Sequence, residues 1–263
     1  MKKNHDYTKE DIVSSLKKVG LQNGDSVFLH SNLGFFGKLK DCNDVNDLCR
    51  IFEESIFEVI GERGTLVVPT FSLSFCNNQV YDKKNTPSTE CGIFSEHIRK
   101  KENSKRTDDA NFSVCAIGFK SSILTSNVPE HSFGDDSFWE RFLKINGKIC
   151  RFNLGSDFNT FIHYVEKCKN VSYRYDKKFS GLIKENNKLV KKKFIHFVRD
   201  LEDELTTPNL KKLDEDLLKK EFVNKVNLGK GNIICMSSSN VFDMISKKIT
   251  KDPFYLINKE EIP

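Results

Sequence analysis

In the stretch NTFIHYVE (159–166) a histidine, His163, precedes a glutamate, Glu166, by three residues at the predicted start of a helix. That spacing puts both side chains on one helical face. Asn159 or Thr160 is the expected N-cap. Counted from Thr160, His163 is the third helical residue, where the positive end of the helix dipole disfavours an imidazolium and leaves the ring free to accept a proton. Glu166 then orients the ring through its other nitrogen or helps recruit a substrate amine. The plain alternative is an ordinary helix start carrying one polar pair.

Two other chemistries for His163 find little support. HxxE supplies two metal ligands at helical spacing, but no second HxxE and no nearby HxxxH accompanies it. No metal is expected. A cysteine nucleophile with His163 as its base would need an accessible thiol, whereas Cys115 and Cys150 fall inside apolar strand runs. His5, His97 and His196 read as structural: a tail, a charged helix and a lysine-rich hairpin.

The elements that must position this pair follow a β-α-β order. YTKEDIVSSLKKVG opens with Thr8 as N-cap and Asp11 three residues on, carries Ile12, Leu16 and Val19 on one face, and stops at Gly20. SVFLH (26–30) is a short buried strand. Residues 43–61 carry a helical stripe of Val45, Leu48, Phe52, Ile56 and Val59, and GTLVVPTF (64–71) is the next strand. FSVCAIG (112–118) and KICRFNLG (148–155) are further strands, with a short helix between them whose Trp139 and Phe142 face the core. Residues 179–200 suggest a hairpin turning at Asn186-Asn187, followed by a charged helix at about 209–226, a strand at 232–236 and a closing helix from Asn240. The expectation is one α/β domain over 1–263, a three-layer α/β/α sandwich on a mostly parallel sheet, with a hairpin and helix inserted at about 172–226.

Ligands of such sheets gather at the carboxyl ends of the parallel strands. Three strand ends stand out. LHSNLGFFG places small polar residues and glycines where backbone N–H groups can meet a phosphate, although it lacks GxGxxG and Walker spacing and also reads as an ordinary turn. VVPTFSLSF presents the hydroxyls of Thr70 and Ser72 after Pro69. The third end, at Gly155, leads to His163.

Composition narrows the function classes. With 263 residues, 38% hydrophobic and 22 phenylalanines, the chain is long enough for a sizeable core. No run approaches the ~18 apolar residues of a membrane helix, and MKKNHDYTKED has no signal-like apolar core. Eight cysteines are scattered singly, as in a cytoplasmic protein with reduced thiols. The net charge of +5 is mild and local, and NKLVKKKF (187–194) reads as a solvated strand face rather than a nucleic-acid stripe.

Seven stretches, taken in order, resemble the aminoglycoside 3-N-acetyltransferase family: LHSNLGFFGKL (29–39), GTLVVPTFSLSF (64–75), YDKKNTPSTECGIFSEHIRK (81–100), KRTDDANFSVCAIG (105–118), HSFGDDSFWERF (131–142), GSDFNTFIHYVE (155–166) and FDMISKKITKDPFYLI (242–257). Together they cover nearly the whole chain outside the hairpin and the charged helix. The resemblance implies an α/β/α fold distinct from the common GNAT fold, an acyl-CoA co-substrate and no permanently bound cofactor, and direct transfer to an amine without an acyl-enzyme. It implies His163 as general base with Glu166 as its partner. It also implies His30, Ser31 and Asn32 along the coenzyme A site, and Thr70, Phe112 and Ser113 near the pantetheine and thioester. Expected partners are acyl-CoA and a small amino-sugar acceptor, with no nucleic acid and no membrane; a homodimer is compatible.

The chain departs from the family at Asn32, where many members carry serine, and at Asp108, Asp109 and Ala110, where antibiotic-modifying members carry a histidine-proline. A basic chain is a poor first match for a polycationic drug. The expected acceptor is therefore an anionic, nucleotide-linked amino sugar, with an aminoglycoside as the alternative. A non-catalytic CoA- or sugar-binding protein and a CoA-linked hydrolase are the readings from other classes.

Overall fold

The computed structural model describes residues 5–185 and 188–257. Among the described residues there are ten strands: β1 (Ser26–Ser31), β2 (Thr65–Pro69), β3 (Tyr81–Asp82), β4 (Lys105–Arg106), β5 (Val114–Gly118), β6 (Lys148–Phe152), β7 (Arg174–Glu185), β8 (Lys188–Arg199), β9 (Val223–Leu228) and β10 (Gly231–Ser237). The main helices are α1 (Lys9–Lys18), α2 (Val45–Ile60), α3 (Ile93–Arg99), α4 (Ser121–Thr125), α5 (Phe138–Lys144), α6 (Phe161–Cys168), α7 (Lys211–Lys219) and α8 (Ser238–Lys251).

The large sheet has the order β4-β5-β2-β1-β6-β10-β9. Its centre, β2-β1-β6, is parallel, whereas β5, β4, β10 and β9 all join antiparallel. The α/β class expected from the sequence is found. Its parallel pairing holds for the central strands, while each flanking strand runs antiparallel to its inner neighbour.

The central strands are buried almost throughout, as in a sheet covered on both faces, and successive side chains alternate between the two covering layers. Val27 and Leu29 of β1, Leu66 and Val68 of β2, and Cys150 and Phe152 of β6 pack with Leu16, Phe52, Ile56 and Phe94 of α1–α3. Phe28, Val67 and Ile149 face the opposite layer, with Trp139 and Phe142 of α5, Phe161 and Val165 of α6, Leu217 of α7 and Ile245 of α8. That makes three layers. Truncating a fully buried anchor such as Phe52 to alanine costs about 3–5 kcal/mol. The predicted capping box on α1 is present: Thr8 Oγ1 accepts from Asp11 N–H (3.2 Å), and Asp11 Oδ2 accepts from Thr8 N–H (2.9 Å).

Three sequence expectations change. The hairpin begins at Arg174 rather than 179 and belongs to a second sheet, β3-β7-β8, with β3 parallel to β7; its expected turn at Asn186-Asn187 lies outside the described residues. The charged helix stops at Lys219, because Glu221 takes a left-handed φ of 55°, and residues 223–226 of the 209–226 span belong to β9 of the main sheet. Neither Asn159 nor Thr160 caps α6 through its side chain.

A small cluster of Phe75, Tyr81, Ala110, Ile183 and Phe194 docks the hairpin on the loops after β2 and β4. Gly181 is required there, since a Cβ would lie 2.5 Å from the Phe75 ring.

Candidate active site

β1, β2 and β6 run the same way, so His30-Ser31-Asn32, Thr70 and Asn153–Gly155 emerge at one end of the sheet. β5 runs antiparallel and pairs Val114 with Pro69, which brings Phe112 and Ser113 to that same end. α6 starts beside it: Thr160 Oγ1 and His30 Nε2 are 3.3 Å apart. The hydroxyl expected to cap α6 thus meets His30 instead.

His163 Nδ1 lies 2.7 Å from Glu166 Oε2. Glu166 is buried, and its other oxygen accepts from Tyr173 Oη at 2.9 Å. Arg174 Nε stands 2.8 Å from Oε2 as an ion pair whose N–H is not aligned on the oxygen. Burial pushes the Glu166 carboxyl up, but His163, Arg174 and Tyr173 outweigh it, and the net pKa falls below the usual glutamate value. Burial also pulls the His163 pKa down, reinforced by Arg174 and opposed by Glu166. The pair is therefore carboxylate and neutral imidazole. A carboxylate only accepts, so Nδ1 carries the proton and Nε2 keeps its lone pair. The His163 side chain retains 25% exposure, which gives that lone pair access to an incoming group.

Aromatic contacts run from His163 to the other candidates. Phe133 meets the His163 ring edge-on at 5.7 Å, Phe112 lies 5.6 Å from Phe133 and 5.3 Å from Phe71, and Phe71 lies 6.4 Å from His30. His30 is buried, and burial, with the Arg151 cation beside it, brings its pKa down to about 3. It is a neutral hydrogen-bonding group.

Thr70 and Ser113 are fully buried and engaged with each other: Ser113 Oγ donates to Thr70 O (2.5 Å), Thr70 Oγ1 lies 3.3 Å from Ser113 Oγ, and Arg106 Nε reaches both hydroxyls at 3.2 and 3.1 Å. Arg106 also donates to Thr70 O (2.7 Å) and Thr86 O (2.6 Å). As placed, these hydroxyls brace the strand end. Ser31 differs, since its Oγ is buried without a partner. Asn32 is fixed through its backbone, donating to Phe152 O (2.9 Å) and accepting from Asn153 Nδ2 (3.0 Å). A cavity of about 430 Å³ opens beside this loop, lined by Phe35, Asn153, Gly155, Lys225 and Lys230 among others.

The structure thus brings His163 and Glu166 together as their spacing predicts, and adds Tyr173, Arg174 and Arg106, which the sequence analysis does not single out. The first two reach Glu166 only because β7 folds back over α6. Arg106 sat in a quoted motif without a role. Cys115 and Cys150 are buried, with burial pushing both thiols up, so neither is a ready thiolate. Among the described residues no group of three or more His, Cys, Asp or Glu converges on one point, and no described helix is long and apolar enough to cross a membrane.

The chain is 25% identical to aminoglycoside N(3)-acetyltransferase IV of Salmonella sp, over 64% of this chain and 62% of that protein. It is also 25% identical to the SPbeta prophage-derived aminoglycoside N(3')-acetyltransferase-like protein YokD of Bacillus subtilis (strain 168), over 60% of this chain and 64% of that one. The chain thus spans less than two thirds of these curated relatives. Among solved structures, the fold superimposes on AAC-IIIb in its binary complex with CoASH (TM-score 0.80, 14% identity, 97% of this chain and 99% of that one). It also superimposes on AAC-VIa bound to sisomicin (TM-score 0.80, 19% identity, 93% and 98%). Residues 28–250 match the family model described as aminoglycoside 3-N-acetyltransferase, and the chain belongs to that family.

Proposed function

We propose that the protein is an acyl-CoA-dependent N-acyltransferase that acylates an amino group of an amino sugar by direct transfer. The observation that carries this reading is the neutral His163, whose Nδ1–H is held by Glu166 and whose Nε2 is left as a base at the carboxyl ends of the parallel strands. The acceptor nitrogen attacks the thioester carbonyl, a C–N bond forms, the C–S bond breaks, and His163 Nε2 takes the proton that the nitrogen sheds. Coenzyme A leaves as the thiolate, and the proton held on His163 passes to it, which gives the free thiol and restores the neutral imidazole. Cys115 and Cys150 are buried, with burial raising both thiol pKa values, which supports direct transfer over an acyl-enzyme on either of them. Ser31, with an unpartnered buried hydroxyl, and the half-buried Asn32 and Phe112 are assigned to the coenzyme A side. His30, Thr70 and Ser113 support them from beneath.

For the acceptor we infer an anionic, nucleotide-linked amino sugar. Glu166 is paired with Arg174, Asp176 at the start of the hairpin is paired with Lys167 and His131, and the hairpin carries exposed lysines. An aminoglycoside acceptor is the second reading, favoured by the sisomicin complex of a protein of the same fold.

The experiment is release of free thiol from acetyl-CoA with a panel of nucleotide-linked amino sugars and aminoglycosides. Thiol release that depends on an amine acceptor is expected. Coenzyme A at 100 times its Kd should also add about 2.7 kcal/mol of stability. A melting curve unmoved by millimolar coenzyme A removes the donor assignment, and a higher kcat/KM for an aminoglycoside reverses the order of acceptors.

A further inference from the structure

His196 of β8 is buried in a network remote in sequence from His163 but joined to it through one short segment. Asn111 Oδ1 accepts from the backbone N–H groups of Phe75 (2.9 Å) and Cys76 (3.1 Å), which fixes its amide orientation and turns Nδ2 toward His196 Nε2 at 2.7 Å. His196 Nε2 must then be the acceptor and Nδ1 the protonated nitrogen. Nδ1 lies 2.7 Å from Ser132 Oγ, and the Ser132 hydroxyl donates to Asp109 Oδ2. Asp109 Oδ1 accepts from the N–H groups of Asn111 and Phe112, both at 2.9 Å. Every polar atom of the imidazole is satisfied in the neutral form, and a proton on Nε2 would face the Asn111 amide donors.

The next residue after Ser132 is Phe133, whose ring stands edge-on to His163. Its segment is tied on the other side by His131, whose Nδ1 accepts from Phe133 N–H (3.2 Å) and whose Nε2 lies 2.9 Å from Asp176. Phe112, 5.0 Å from the His196 ring and 5.6 Å from Phe133, closes the circuit.

We propose that His196 is a positioning residue for His163: through Ser132 and Asp109 its Nδ1–H tautomer holds Phe133 against the catalytic ring and Phe112 beside it. The groups facing His196 are Asp109 from the loop after β4, His131 from the segment before α5 and Lys177, its cross-strand neighbour on β7. Burial lowers its pKa and Asp109 opposes that. This inference deepens the acyltransferase reading and rests on it for the word catalytic.

The test reads His163 directly, by following its ring resonances through a pH titration of the free protein. His196→Gln keeps the acceptor for Asn111 and loses the donor to Ser132, while His196→Asn keeps that donor. Ser132→Ala removes the bridge by deleting one oxygen. In His196→Gln and Ser132→Ala the expected result is a His163 titration moved up toward the ordinary histidine value, because a loosened Phe133 admits water. His196→Asn should stay near wild type. Turnover should follow, falling about tenfold or more in kcat with little change in KM. Backbone bonds alone also tie this segment, through Ser132 N–H to Ile195 O (3.0 Å) and Ile195 N–H to Glu130 O (2.8 Å). If they suffice, the His163 titration stays at its wild-type position in Ser132→Ala, and the proposal is overturned. That variant alone decides the matter should His196→Gln not fold. Absence of turnover with every acceptor sinks the acyltransferase reading and leaves the titration result standing.

Discussion

Arg174 Nε sits 2.8 Å from Glu166 Oε2, the oxygen that also receives His163 Nδ1 at 2.7 Å. The guanidinium neutralises the buried carboxylate, so the imidazole need not be charged to balance it. The proposed base and an ion pair share one oxygen, and each sets the protonation of the other.

The direct consequence concerns His163. His163→Asn keeps a donor toward Glu166 at the Nδ1 position and loses the Nε2 base. The folded variant should bind coenzyme A as wild type does and lose about 10²–10⁴-fold in kcat. Steady-state kinetics with a melting-shift control checks this. Near-normal turnover in a folded variant would return His163 to a structural role.

Arg174 gives a prediction with a sign. Its positive charge helps depress the His163 pKa, so removing it should raise that pKa and move the acid limb of the kcat/KM profile to higher pH. In wild type the limb should fall below the ordinary histidine value of ~6.5. Arg174→Gln should bring it nearer that value, and His163→Asn should abolish it. A limb that stays in place in Arg174→Gln would detach Arg174 from the base.

How far this was legible in the sequence depends on the range of each contact. His163 and Glu166 are three residues apart on one helix, and their spacing alone joined them. The alternation of Val27, Phe28 and Leu29 between the two layers is equally local. Tyr173 and Arg174 reach Glu166 only through the return of β7, and Arg106 reaches Thr70 across 36 residues. No periodicity encodes such meetings. The overrun of α7 has a local cause: LKKEFVNKV continues a charged pattern compatible with helix, and one left-handed residue, Glu221, breaks it. His196, whose lysine-rich surroundings suggest a structural residue, is buried and saturated with hydrogen bonds to partners 85 and 64 residues away, which leave no local pattern.

Acid stability follows from the buried histidines. His30 has its folded pKa near 3, against ~6.5 in the unfolded chain. A depressed folded value means stability that is complete above 6.5 and declines as pH falls toward 3, with a slope of about 1.4 kcal/mol per pH unit between them. His163 and His196 act in the same direction. Glu166, lowered from its ordinary value of ~4.3, adds a further loss below about pH 5. Denaturant unfolding at pH 7, 6 and 5 should show this decline, and His30→Gln should flatten it by about one proton's worth. An unchanged slope in His30→Gln would mean that His30 titrates normally in the folded state.

Arg106 carries the last prediction. Its guanidinium is buried, stacks 5.0 Å over the Tyr81 ring and donates to two hydroxyls and to the carbonyls of Thr70, Lys83 and Thr86. Arg106→Leu keeps an apolar body in the site but leaves Thr86 O without that donor and frees Thr70 and Ser113 to rearrange. Charged hydrogen bonds contribute about 1.5–3 kcal/mol each, and removing the charge also relieves a desolvation penalty. A net loss of about 3 kcal/mol is the reasonable expectation, which for a chain of this size corresponds to a Tm lower by about 6–12 °C. Arg106→Lys should recover little, because an ammonium on a flexible stem cannot span acceptors that the planar fork meets together. Since Thr70 and Ser113 lie at the end of the sheet where coenzyme A is proposed to bind, both variants should also show a smaller melting shift with coenzyme A. Thermal unfolding with and without the ligand separates the two effects. An Arg106→Leu protein that melts with wild type and keeps the full shift would show that the strand end is braced by the backbone, and that Arg106 is dispensable to it.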